Sequence, residues 1–247
     1  MRRIVLYFFI ASTASIYFGC SQSTNEWNIS GFISEYNSQP VYLSIRGNVD
    51  STYTNEQGEF VFSRKKQKPE FVRLSLYSDL SSPLHLFADS VCDIQIAIDD
   101  TAHMHRARIQ NSPESVLLQE LYTWHEQRKI MLDSLREQYQ KNRQVCADVD
   151  SLRDIYMSEI NVFHEENTEY LCSFISHNTA SPVAATASFM TFDTVTYKPL
   201  LLQDSSYVTV CKDVHTALEK RYGNVPFVDL YAKTIRAINR NVDAQKR

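Results

Sequence analysis

Asn111-Ser112-Pro113-Glu114 marks the point at which the chain changes its hydrophobic period. Ser112 can accept a hydrogen bond from the first free amides of a helix. Pro113 fits the first helical turn, where its missing N–H costs nothing, and Glu114 favours the positive end of the helix dipole. Before this point apolar residues recur every second position; after it they recur every third or fourth. The expected class is therefore α+β, an N-terminal antiparallel β-sandwich over residues 28–110 followed by an α-helical region over 111–240.

Upstream, eight segments alternate. They are Trp27-Asn-Ile-Ser-Gly-Phe-Ile33, Val41-Tyr-Leu-Ser-Ile-Arg46, Ser51-Thr-Tyr-Thr54, Glu59-Phe-Val-Phe-Ser63, Phe71-Val-Arg-Leu-Ser-Leu-Tyr77, Leu84-His-Leu-Phe-Ala88, Asp93-Ile-Gln-Ile-Ala-Ile98 and Ala107-Arg-Ile-Gln110. Gly47-Asn48, Asn55 to Gly58, Lys68-Pro69 and Ser82-Pro83 punctuate them as turns. Short strands at this spacing suit two antiparallel sheets packed face to face.

Downstream, Leu117, Leu121, Trp124, Met131 and Leu135 form a stripe interrupted by Arg128. A second helix is expected from about Asp150 to His177, with Leu152, Tyr156, Ile160, Phe163, Tyr170 and Phe174 on one side. The breaker Asn142 to Asp148 makes the two a long antiparallel pair. Pro182 opens a short helix rich in small residues. A loop is expected through Thr194 to Pro199, then a segment around Tyr207 to Arg221, and a last helix from Phe227 to about Ile238. The charged end, residues 241–247 above all, is expected to fray.

The first nineteen residues read as an export signal. Met1-Arg2-Arg3 is followed by an apolar run from Ile4 to Phe18 that is short for a bilayer span, then by Gly19-Cys20. The segment resembles a bacterial lipoprotein signal, and that resemblance makes Cys20 the lipid attachment site and residues 20–27 a tether. Several acyl chains, at about 0.8 kcal/mol per buried CH₂, would hold the protein at a membrane. With only Glu26 as an acidic residue nearby, the expected location is the cell envelope, at an outer membrane and facing the periplasm.

Removing Arg2 and Arg3 takes the formal charge from −4 to −6, with no basic patch, so nucleic acid is not an expected partner. Only five glycines occur, and neither a P-loop nor a dinucleotide-binding fingerprint is present. Cys92, Cys146, Cys172 and Cys211 leave three complete disulfide pairings open, beside the alternative of buried free thiols. There is no C-x-x-C and no G-x-S-x-G.

Several short motifs together resemble a known family. Gly31-Phe-Ile33, Val41-Tyr-Leu43, a hairpin from Tyr53-Thr-Asn55 to Gly58-Glu-Phe60, Leu86-Phe87-Ala88 and Ile94-Gln-Ile96 are similar to the uncharacterised N-terminal β-domain of exported thioredoxin-like lipoproteins. Asn111-Ser112 stands where that family steps into its helical region, and Asn178 to Ala185 resembles a helix entry there. Asp89-Ser90 departs from the family's glycine-containing turn. The resemblance covers roughly residues 28 to 235 and implies the β-domain and helical region without a known ligand. The family's Trp-Cys-x-x-Cys has no counterpart in this sequence, so no redox residue carries over.

Other constellations are sparse. His103-Met-His105 would put two imidazoles on one strand face, with Asp99, Asp100 or Asp93 nearby, yet two histidines fall short of a zinc set and a solvated connection is the plainer reading. Glu165-Glu166, Asp99-Asp100 and Asp148/Asp150 are paired carboxylates without a catalytic spacing. No catalytic, metal or cofactor site is therefore assigned. Fourteen tyrosines and thirteen phenylalanines are more than a short sandwich needs. Tyr36, Tyr42, Tyr53 and Tyr77 are candidates for an outer sheet face that stacks on a sugar or peptide.

The expected function is a non-catalytic, membrane-anchored binding module with an envelope protein or extended ligand as partner. It would carry an exposed aromatic patch without perturbed titratable groups. The alternative is an accessory of the thiol-disulfide class working with a separate thioredoxin-like partner, which would require an accessible cysteine of low pKa.

Overall fold

The computed structural model describes residues 26–65, 67–90, 92–192 and 208–245. The leader and Cys20 lie outside the described residues, as does the loop expected over Thr194 to Pro199. Eight strands come first: β1 (Glu26–Ile33), β2 (Pro40–Ile45), β3 (Asn48–Tyr53), β4 (Glu59–Lys65), β5 (Glu70–Ser75), β6 (Leu84–Ala88), β7 (Cys92–Ile98) and β8 (Arg108–Gln110). Five helices follow: α1 (Pro113–Arg143), α2 (Val149–His177), α3 (Pro182–Ala187), α4 (Val208–Tyr222) and α5 (Pro226–Gln245). With about half of the described residues helical and both sheets ahead of the helices, the class is α+β.

One four-stranded sheet has the order β4-β1-β7-β8 and the other β3-β2-β5-β6. The first corrects the expectation of a wholly antiparallel arrangement, because β1 and β7 pair in parallel. A hairpin forces reversal only on consecutive strands of one sheet, and β7 reaches β1 from the other sheet. Their register sets Ile29, Gly31 and Ile33 beside Ile94, Ile96 and Ile98, so these isoleucines share one face.

A second correction concerns the hairpin expected from Tyr53 to Phe60. β3 belongs to one sheet and β4 to the other, so the turn at Asn55 to Gly58 carries the chain between sheets. Asn55 Oδ1 holds that crossing by accepting from the amides of Gln57 at 2.9 Å and Glu59 at 2.8 Å. By contrast, β2 and β3 form a true two-residue hairpin. Arg46 and Gly47 both have positive φ, 52° and 83°, as the turn matching strand twist demands.

The two sheets share one core. Ile29, Ile33, Phe60, Ile94 and Ile98 from one meet Val41, Leu43, Val72, Leu74 and Leu86 from the other, all buried. Gly31 is required at its place, since a Cβ there would lie 2.3 Å from the Ile96 carbonyl oxygen and 2.8 Å from the Phe60 ring.

A separate core lies beneath the helices, and the β3-β2-β5-β6 sheet takes part in both. Alternation sends Val72, Leu86 and Ala88 to the inter-sheet core and Phe71 and Phe87 to the helices. Phe71, Phe87 and Phe227 meet edge to face at 5.2 to 5.8 Å, and Tyr222 joins at 5.4 Å from Phe227. Each such pair adds about 0.5–1.5 kcal/mol beyond its buried area, so this cluster fastens the helices to the sheet.

The expected α1 stripe holds at Leu121, with Leu117 and Trp124 packed half-buried against the helical core. Leu118, Leu121 and Leu132 are buried, whereas Met131 is 47% exposed. Helix α1 packs along α2: Trp124 stacks on Tyr170 at 4.0 Å, Arg128 pairs with Glu166 at 2.8 Å, and past Leu132 Tyr139 stacks on Tyr156 at 4.5 Å. With no third layer there, stripe residues stay partly exposed. Helix α5 runs on to Gln245, beyond the expected end at Ile238. Among the described residues no helix is long and apolar enough to cross a membrane.

Candidate functional site

Three adjacent strands place Ser44, Arg73 and His85 directly opposite one another in a row across the sheet, on the face turned away from the inter-sheet core. Helices roof this row. Tyr122 of α1 lies flat on His85, with ring centroids 4.0 Å apart and planes 11° apart. Thr186 from α3, Phe189 just past its end, and Phe227, Leu230 and Tyr231 from α5 line the remaining walls of a cavity of about 640 Å³. Such dimensions suit a small ligand.

The cavity is apolar in its walls and polar in its floor. At the mouth, Arg46 pairs with Glu70, which leaves that edge neutral. Arg73 donates weakly to Ser44 Oγ at 3.4 Å and has no carboxylate partner among the described residues. Burial, and then the neighbouring Arg73 charge, push the His85 pKa down to about 4, so the imidazole is neutral at physiological pH. Burial raises the pKa of Tyr122, keeping its phenol protonated.

This arrangement binds better than it catalyses. A base with a pKa of about 4 is poorly matched to proton abstraction near neutrality. Ser44 and His85 sit on strands with β5 between them, and at about 4.8 Å per strand they are roughly 10 Å apart, out of hydrogen-bond reach. What the row can do is orient: a lone guanidinium beside a neutral imidazole, under an aromatic roof. The perturbed histidine departs from the expectation of a patch free of shifted groups.

A second concavity of about 640 Å³ lies on the outer face of the other sheet, among Ser30, Phe32, Val61, Gln95 and Arg108, with Tyr53 at its edge. Among the described residues none from a helix lines it. Of the tyrosines expected outside, Tyr53 and Tyr77 are 68% and 52% exposed. Tyr36 is half-buried and donates its hydroxyl to the carbonyls of Pro40 at 3.1 Å and Leu76 at 3.2 Å, and Tyr42 is half-buried as well.

The other sequence candidates disperse. His103 and His105 fall in a short 3₁₀ turn, Thr101–Arg106, rather than on a strand, because Asp100 caps that turn by accepting from the Ala102 amide at 2.9 Å. His103 pairs with Asp100 at 2.7 Å, which lowers the pKa of that carboxyl, while Asp99 pairs with Arg108. Among the described residues no three His, Cys, Asp or Glu side chains converge on a common point. Glu166 is committed to Arg128, Asp148 caps α2 through Ser151 at 3.0 Å, and Asp150 pairs with Arg153 at 3.4 Å.

Cys92, Cys146, Cys172 and Cys211 are all free thiols. Burial pushes Cys92 up to about 12 and raises Cys172 and Cys211 as well, opposite in direction to an activated nucleophile.

Sequence reasoning passed over Ser44, Arg73 and His85, because polar residues at every second position read as a solvated sheet face. Their only signal was their position on three neighbouring strands, and nothing local says that helices from residues beyond 111 fold back over them. Compared with family models, curated proteins and solved structures, the chain finds no match.

Proposed function

We propose that this protein is a lipid-anchored binding module of the cell envelope, held through Cys20 at an outer membrane and facing the periplasm, with its ligand in the cavity between the β3-β2-β5-β6 sheet and the helices. The observation that carries the binding reading is that cavity: about 640 Å³, roofed by Tyr122, Phe189 and Phe227, with Arg73 and His85 on its floor. The anchoring half rests on Arg2-Arg3, the apolar run and Gly19-Cys20. The body is read as a β-sandwich followed by a long antiparallel helix pair. Support for the pair comes from contacts 124 to 170, 128 to 166 and 139 to 156, in which one number rises as the other falls. The reading also draws on the resemblance of the sequence motifs to the β-domain and helical region of exported thioredoxin-like lipoproteins. The upward-shifted thiols run against the thiol-disulfide accessory role.

The test uses the soluble Cys20→Ala form and a neutral reporter, phenylnaphthylamine, whose fluorescence rises in apolar surroundings. Saturable one-to-one binding is expected, and Thr186→Trp, which fills the cavity from its half-buried edge, should abolish it while leaving the circular dichroism spectrum unchanged. No saturable binding, or binding untouched by Thr186→Trp, would contradict the assignment.

A further inference from the structure

We infer that the ligand of this cavity is a small amphipathic organic anion, a flat apolar body with a single acidic head group, and that Arg73 is the residue that receives the head. The inference rests on the binding reading above and adds the chemical class of what is bound.

Charge and geometry lead to it together. The floor holds one cation without a carboxylate partner among the described residues, Arg73, while the second cation, Arg46, is already paired with Glu70 at the mouth. The Arg73 guanidinium is solvent-exposed where it lines the cavity, and it lacks the anion that its paired donors match, so a bound carboxylate or sulfonate finds a charge-assisted contact there. On one side, Ser44 lies directly across the strand pair with its hydroxyl 3.4 Å from Nη2 of Arg73. On the other side, His85 lies directly across and keeps a neutral ring, which can donate one hydrogen bond to an acid oxygen without bringing a second charge. The three residues thus present a line of donors about two strand spacings long, enough for one acid group and too short for an extended polyanion.

The walls set the other half of the molecule. Tyr122, Phe189, Phe227 and Leu230 surround the floor with apolar surface, and the Tyr122 ring, fixed flat on His85, offers a face for stacking. A neutral polar ligand such as a sugar would leave Arg73 uncompensated and these rings poorly used. A long fatty chain would find a cavity bounded by rings rather than a tunnel, so compact aryl acids fit best.

A matched pair of probes separates this claim from the reading beneath it. Anilinonaphthalene sulfonate is phenylnaphthylamine with one sulfonate added. In the wild-type Cys20→Ala form the sulfonated probe is expected to bind about tenfold more tightly than the neutral one, the range of a charge-assisted contact. Arg73→Gln should erase that preference, read as the ratio of the two affinities within the same variant. Arg73→Lys should retain part of it, and Arg46→Gln should leave it intact.

If the neutral probe binds in the cavity but the sulfonate brings no advantage, or if the advantage persists in Arg73→Gln, the anion assignment is overturned and the binding reading stands. If neither probe binds, both are overturned. Arg73 is solvent-exposed, so its replacement leaves the core undisturbed, and circular dichroism provides the check.

Discussion

The backbone amide of Phe87 donates to the hydroxyl of Ser115 at 2.9 Å, across a separation of 28 residues and out of contact with solvent. Ser112 Oγ and Ser115 Oγ both donate toward the Phe87 carbonyl at 3.2 Å, while Ser112 Oγ also accepts from the Ser115 amide at 3.3 Å and so caps α1. Strand β6 is the edge of its sheet, and its outward-facing peptide groups would otherwise be buried without partners. Two serines in the first turn of a helix thus finish a sheet edge.

Ser115→Ala therefore strands a buried amide. A loss of about 1–3 kcal/mol in unfolding free energy is expected by chemical denaturation. A change below a few tenths of a kcal/mol would show that the strand edge finds its partners elsewhere.

Gly31→Ala drives a methyl group into the Ile96 carbonyl oxygen and the Phe60 ring, and the carbonyl belongs to backbone that cannot swing aside. Separating β1 from β7 at the centre of the sheet is expected to cost at least as much as ordinary overpacking, about 1–3 kcal/mol, and more where the parallel ladder opens. Thermal denaturation measures it; an unchanged midpoint would rule out the close approach.

These two positions show what the sequence could tell. The change of period at Asn111 to Glu114 placed the α+β boundary, and Ser112 and Pro113 marked the helix start, because caps and periods are local signals. Strand positions were legible for the same reason. The parallel β1–β7 pairing and the crossing at Asn55 to Gly58 were not, since both depend on which sheet a strand joins. The cavity was invisible too: Ser44, Arg73 and His85 look like any solvated strand face until the helices are in place.

The half-buried His85 makes stability depend on acid. Its pKa is about 4 in the folded protein, against 6.5 for the ordinary side chain. As pH falls below about 6.5 the unfolded chain takes up the proton first, so the contribution is complete above that pH and is lost as pH drops toward 4. The full loss is on the order of 3 kcal/mol. Denaturation midpoints measured from pH 7 to pH 4 should fall more steeply in the wild type than in His85→Phe. Parallel slopes would show that His85 is solvated.

Lipidation has its own measurement. Intact mass spectrometry of the membrane-extracted protein is expected to give a chain beginning at Cys20 with added acyl mass, and Cys20→Ala should lose both the added mass and sedimentation with membranes. An intact leader without acyl mass would remove the anchor from the account.

The most direct test of the whole is a crystal structure of the soluble form with anilinonaphthalene sulfonate. The account predicts the sulfonate within hydrogen-bond distance of the Arg73 guanidinium and the ring system against Tyr122 and Phe227, beneath α5. Density for the probe elsewhere on the surface, with the space above Ser44, Arg73 and His85 filled by the protein's own side chains, would contradict it.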